Sequence, residues 1–176
     1  MRASCSSSSA ASEVDKRQAL GMAYLQRNDR DSSRRNFEKA LALDGNSAEA
    51  HNGMGLLFQL TGEPDLAEAS FERSLRSNPK LTQARVNYGI FLYSQNRFEE
   101  ALDNFEEAAQ DISYDRRALA LAYIGQTALK TGNVVRARSA FEHSLNVDNK
   151  LTLPMLELAL MQFDEADFEA SKNNLD

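Results

Sequence analysis

Large apolar, small and polar positions recur along this chain on a long period. A large apolar residue followed by glycine appears as Leu20-Gly21, Met54-Gly55, Tyr88-Gly89 and Ile124-Gly125, in steps of 34, 34 and 36 residues. A second series, Phe37, Phe71, Phe105 and Phe141, keeps the same steps. Each phenylalanine follows a small residue (Ser33, Ala67, Ala101, Ala137) by four positions and precedes another (Ala40, Ser74, Ala108, Ser144) by three. Two series in phase predict one structural unit repeated, each unit holding two helices. The first helix offers the glycine, and the second presents the phenylalanine, so that small faces large. Asn28, Gly62, Asn96 and Gly132 fall between them, residue types that adopt a left-handed conformation after a helix at least steric cost. Pro64 fits the first turn of a second helix, where its missing N–H loses nothing. Pro79 closes a repeat; Gly45, Ser113 and Asn149 stand in the equivalent places elsewhere.

A 34-residue unit of this pattern resembles the tetratricopeptide repeat (TPR), which implies an all-α solenoid of stacked helix-turn-helix pairs. The units are 14–47, 48–81, 82–117 and 118–151, with a partial fifth over 152–176, about four and a half repeats. The third unit is two residues longer, and Asp111-Ile112-Ser113-Tyr114-Asp115 lacks a helical apolar period, so a loop is expected there. Residues 1–13, with the tract ASCSSSSAAS, are expected to form a disordered Ser-rich tail, because their composition offers too little apolar surface to bury.

Charge narrows the function classes. Lys+Arg number 20 and Asp+Glu 26, a net charge of -6, which is poorly suited to a nucleic-acid backbone. No run of about 18 apolar residues is present to read as a membrane span. The single cysteine rules out a disulfide framework, and His51 and His143 have no partner at metal-ligand spacing, so both read as packed or solvated side chains. G-x-x-x-x-G-K-[ST], G-x-S-x-G and H-E-x-x-H are all missing. The expectation is a protein with no enzymatic activity, cofactor, metal or small-molecule substrate.

The inward-facing repeat positions (2, 5, 9 and 12) of the TPR pattern define a candidate binding groove. It runs through Gln18, Met22 and Leu25; Asn52, Leu56 and Gln59; Val86, Ile90 and Tyr93; and Ala122, Gln126 and Leu129, with Leu156, Leu160 and Phe163 continuing the row. So apolar a lining reads as a partner site, or alternatively as core covered by neighbouring helices. For Leu156, Leu160 and Phe163 the alternative is a packing surface for a further helix. Some TPR modules clamp a partner's terminal carboxylate with paired Lys, Arg and Asn side chains at positions 5, 9 and 13; here position 5 holds Gln18, Asn52, Val86 and Ala122 and position 9 holds Met22, Leu56, Ile90 and Gln126, with no basic residue among them. An apolar helix or strand is therefore the expected ligand, with Asn52 and Asn87 bonding its backbone.

Beyond the generic repeat, LGMAYLQRND, NSAEAHNGMGLLFQLTGEPDLAEASFERSL and NYGIFLYSQNRFEEALDNFEEAAQD resemble the TPR lipoproteins of type IV pilus biogenesis and stability, the pilotins of the PilF/PilW family. The long third repeat followed by ISYDRRALA, with Tyr114 and Arg117, is part of that likeness, although Asp115 and Arg116 stand where the family carries proline. The resemblance implies an outer-membrane lipoprotein on the periplasmic face that binds the pilus secretin and promotes its localisation and multimerisation. It also implies that Cys5 carries the lipid. Ala3-Ser4-Cys5 resembles the end of a lipobox, with Arg2 in place of the usual Leu; the alternative is an unmodified tail with an incidental cysteine. Six repeats are common in that family, which leaves a fragment and a shorter variant both open. The remaining alternative is a generic TPR adaptor of another envelope-assembly, cell-division or chaperone pathway, cytoplasmic or soluble in the periplasm.

Overall fold

The computed structural model describes the backbone of residues 4–173 and the side chains of residues 10–163. Among the described residues the regular structure is helical throughout: α1 (Ser4–Gln26), α2 (Arg30–Leu43), α3 (Ala48–Thr61), α4 (Pro64–Ser77), α5 (Thr82–Ser94), α6 (Phe98–Gln110), α7 (Arg117–Lys130), α8 (Val134–Val147) and α9 (Thr152–Asn173). The pairs α1–α2, α3–α4 and α7–α8 follow the expected repeats, with α9 the first helix of the partial fifth repeat.

The turns obey the chemistry of their residues. Asn28, Gly62, Asn96 and Gly132 have φ of 58°, 77°, 61° and 76°, the left-handed conformation that ends the first helix of each pair. The second helix then starts on a cap or a proline. Asp29 accepts from the Ser32 amide at 3.0 Å, which with the Ser32 hydroxyl holds its carboxyl below the usual range. Asn133 accepts from the Arg136 amide at 3.0 Å, and Pro64 opens α4. Ser47 caps α3 through the Ala50 amide at 3.1 Å, a contact worth about 1 kcal/mol. The expected break in the third repeat lies between Gln110 and Arg117, where the Asp111 carboxylate accepts from the Ser113 amide at 3.0 Å and its hydroxyl at 2.6 Å.

One expectation is corrected. Residues 4–13 are helical backbone, not the disordered tail assigned to 1–13; residues 1–3 lie outside those described. A helix nucleated downstream extends at the cost of ordering one residue per hydrogen bond, and neither Gly nor Pro interrupts the tract. Ala10 and Ala11, the best helix formers, bridge it to Val14, which is buried with Ala40 and Ala50.

The chain divides into two compact units, Met1–Phe91 and Leu92–Asp176, with the division inside α5. In the first unit, Phe37 packs so closely on α1 and α3 that an added Cβ at Gly21 or Gly53 would lie 2.5 or 2.4 Å from its ring. Phe71 fills the equivalent place against Gly55 and joins Tyr88 and Phe91, with ring centroids 5.8 and 5.7 Å away. In the second unit Phe141 sits on Gly125, and Ala128, Ala137, Phe141 and Met161 form a core to which Leu129 and Leu158 add. Second helices bury a single stripe, such as Ala67, Phe71 and Ser74 in α4. First helices are enclosed on more sides: α3 buries Ala48, Ala50 through Gly55, Leu57 and Phe58. The stripe serine also bonds. Ser74 Oγ donates to the Ala48 carbonyl and Ser144 Oγ to that of Ala118, both at 2.7 Å.

Candidate protein-interaction surface

The first helices are crowded on one side by their own repeat partner and on the other by neighbouring repeats, so only a narrow strip of each remains open. In the first unit that strip holds Met22 and Leu25 on α1, Leu56 on α3 and Ile90 on α5, all half-buried. Met22, Leu56 and Ile90 occupy the same repeat position on successive first helices. A half-buried aliphatic chain at such a site has part of its apolar surface in water, worth about 25 cal/mol for each Å² that a ligand would cover.

Other groove candidates turn out differently. Val86 is 2% exposed and belongs to the core of the first unit, because its position on α5 is covered by packed helices. Asn52 and Asn87 are 7% and 8% exposed and bond each other: Asn87 Nδ2 donates to Asn52 Oδ1 at 2.9 Å, while Gln83 Nε2 donates to Asn87 Oδ1 at 2.9 Å. The expected role of the two asparagines, bonding a ligand's backbone, is corrected accordingly; their polar groups tie α3 to α5. Gln18 is likewise engaged, donating from Nε2 to Ser47 Oγ at 2.6 Å. It lines an open cleft of about 400 Å³ with Val14, Asp15, Leu43 and Glu49.

In the second unit Gln126 on α7 and Tyr93 are half-buried, and Ala122 is fully buried. Tyr93 packs edge-on against Phe98 at 5.3 Å between centroids. Burial, and after it the Glu157 carboxylate, raises its phenol above the ordinary value. Leu156, Leu160 and Phe163 on α9 are 56%, 51% and 63% exposed, and Met155 beside them is 51% exposed. Met155 was missed by the repeat-position reading, because its place in the repeat is not among the inward-facing four. Cys5 falls in the first turn of α1, with its side chain outside those described.

His51 is buried with Nε2–H donating to the Gly45 carbonyl at 3.0 Å. Among the described residues no cluster of three His, Cys, Asp or Glu side chains is placed to hold a metal ion, and no helix is long and apolar enough to cross a membrane.

Comparison with known proteins agrees with this architecture. The tetratricopeptide repeat model matches residues 19–80 and again 54–116. The chain belongs to the tetratricopeptide repeat family, with an all-α TPR solenoid fold. It is 32% identical over 157 residues to the type IV pilus assembly protein PilF of Pseudomonas aeruginosa, a match covering 89% of this chain and 62% of that protein. A solved structure of P. aeruginosa PilF matches with a TM-score of 0.88 and 31% identity over 94% of this chain and 74% of that one. The crystal structure of PilW, a widely conserved type IV pilus biogenesis factor, matches at 0.79 and 25% identity, covering 85% and 69%. Within the TPR family, then, this protein is a relative of PilF and PilW.

Proposed function

We propose that this protein is a non-catalytic scaffold of type IV pilus biogenesis that binds the pilus secretin and promotes its outer-membrane localisation and multimerisation. Its relationship to PilF and PilW supports the pathway. The observation that carries the binding mode is the open apolar row Met22, Leu25, Leu56 and Ile90 on α1, α3 and α5. These side chains take an apolar helix or strand of the secretin, and water leaves both surfaces as they meet. Asn52 and Asn87 act indirectly, fixing the spacing of α3 and α5 so that Leu56 and Ile90 stay in register. Tyr93 and Gln126 belong to the corresponding strip of the second unit. In this reading Cys5 is acylated and holds the protein to the periplasmic face of the outer membrane.

The test is titration of the purified secretin periplasmic region against the wild-type protein and the double variant Leu56→Asp/Ile90→Asp. A carboxylate in a desolvated apolar contact should weaken binding by roughly tenfold or more. Circular dichroism on the same samples checks that helicity is kept. Unchanged affinity in the folded double variant sinks the groove, and failure of the folded wild-type protein to bind sinks the secretin assignment.

A further inference from the structure

We infer that the cleft between the α2–α3 turn and the last two turns of α4 is a binding site for an acidic segment of another protein. The cleft is open, has a volume of about 500 Å³, and is lined by Asn46 on the turn and by Arg73, Arg76 and Ser77 on α4. Its walls are held in place, since the buried bond from Ser74 Oγ to the Ala48 carbonyl ties α4 to the start of α3 at 2.7 Å. Arg73 and Arg76, three residues apart, share one face of the helix. The repeat does not require them there. The corresponding residues of the other second helices are Lys39 and Ala42, Glu107 and Gln110, and His143 and Asn146.

Arg76 is accounted for by its surroundings: it lies in the last turn of α4, where a cation complements the negative pole, and its guanidinium bonds Glu72 at 3.1 Å. Arg73 stands before that turn, and among the described residues its guanidinium has neither a carboxylate nor a hydrogen-bond partner. The side chains of Asn46 and Ser77 make no hydrogen bond there either, so both are free to donate to a ligand. The positive field extends to His51 on α3, whose charged form both arginines disfavour. Asp44, the acid on the turn, is engaged with the Asn46 amide at 3.0 Å. Guanidinium forks match carboxylates in geometry and charge. A cleft of about 500 Å³ is the size of a site for a ligand of several groups, which selects a chain over a lone ion. A partner segment with Asp or Glu side chains in series pairs with Arg73, shares Arg76 with Glu72, and accepts from Asn46 and Ser77.

The experiment uses two fluorescent peptides in which Ser alternates with Glu or with Gln. Anisotropy is followed against the full chain and its Arg73→Gln/Arg76→Gln, Glu72→Gln and Leu56→Asp/Ile90→Asp variants. The Glu peptide is expected to bind about tenfold or more tightly than the Gln peptide, with the advantage shrinking as salt rises. The chain's net charge of -6 works against that order, so only a local cationic site produces it. Arg73 and Arg76 are exposed, so Arg73→Gln/Arg76→Gln leaves the core untouched and should lose the preference. Glu72→Gln frees Arg76 from its pair and should tighten binding by about twofold. Leu56→Asp/Ile90→Asp should bind as the wild type does, so this site stands or falls apart from the proposed secretin groove. In an NMR titration the Glu peptide should raise the His51 pKa, because it neutralises two charges that lower it. Equal affinity for the two peptides overturns the inference, as does an unmoved His51 or retention of the preference by Arg73→Gln/Arg76→Gln. Displacement of the Glu peptide by inorganic phosphate at lower concentration than by unlabelled peptide also overturns it, since the ligand is then a phosphate. So does a dimer in sedimentation that Arg73→Gln/Arg76→Gln abolishes, since the acidic segment is then the chain's own.

Discussion

His51 stands in the first turn of α3 with its ring taken largely out of water, its Nε2–H donating to the Gly45 carbonyl. Burial is the largest influence and disfavours the imidazolium; the charges of Arg73 and Arg76 push the same way, the Gly45 carbonyl and Asp44 push back, and the net is a pKa below the ordinary 6.5. A group whose folded pKa is depressed leaves the unfolded chain binding more protons as pH falls, so stability drops on acidification. The loss should begin near pH 6.5, where the unfolded imidazole starts to charge, and continue down toward the folded pKa. Urea midpoints at pH 7.5 and 5.5 test this: the wild-type midpoint should fall more than that of His51→Gln, and parallel shifts would show that the ring does not carry the effect. From the sequence His51 reads as packed or solvated, and the structure buries it. The sequence did not reveal the Asn52–Asn87 bond, because those residues lie 35 positions apart in a 34-residue repeat and no shared repeat position marks the pair. Periodicity identifies faces, and a polar contact between two faces has to be measured in space.

At the scale of helices, the decisive contact is phenylalanine on glycine. Phe71 and Phe141 are fully buried, and a Cβ added at Gly55 or Gly125 would come within 2.7 or 2.4 Å of the facing ring. Alanine would gain at most about 1 kcal/mol of helix propensity over glycine. Separating the helices, or turning a ring that has no free space, costs about 1–3 kcal/mol. Gly125→Ala should therefore lower the urea midpoint despite the better helix former. Gly45→Ala is the control: its nearest neighbour would be the Leu41 carbonyl oxygen at 3.7 Å, an ordinary contact, and its stability should hold or rise slightly. A higher midpoint for Gly125→Ala would refute the packing argument. The helix pairs and their turns were legible in the sequence because each depends on local chemistry repeated in register: glycine facing a ring, Asn or Gly at a left-handed turn, and proline at a helix start. Residues 4–13 were not, because a Ser-rich tract judged alone has little to bury, and its helix is an extension of one anchored downstream by Val14. α9 illustrates the converse. Where earlier repeats place Asn or Gly at the turn, this one has Ala166, for which a left-handed turn is costly, and the helix runs on to Asn173.

For the molecule as a whole, the helical start changes what a lipid on Cys5 would do. Nine positions separate Cys5 from Val14, the first buried residue of α1 among the described ones. At 1.5 Å per residue a helix covers that interval in about 14 Å, whereas an extended chain would reach up to about 30 Å. The proposed anchor thus holds the first repeat on a short rod, close to the membrane and limited in its tilt, in place of a loose tether. A single acyl chain gives only marginal, reversible attachment, so a stably held protein should carry two chains or more. Expressed from its own gene in the source cell, the protein should fractionate with the envelope, and mass spectrometry of its N-terminal peptide should show at least two acyl chains on Cys5. Cys5→Ser should move it to the soluble fraction with its melting temperature unchanged, because Cys5 lies nine positions upstream of Val14, the first core contact among the described residues. The groove would be intact in that variant, so secretin binding in solution should match the wild type while secretin multimerisation in the cell falls. An unmodified Cys5 in envelope-bound protein would overturn the anchor and leave the groove to be judged on its own.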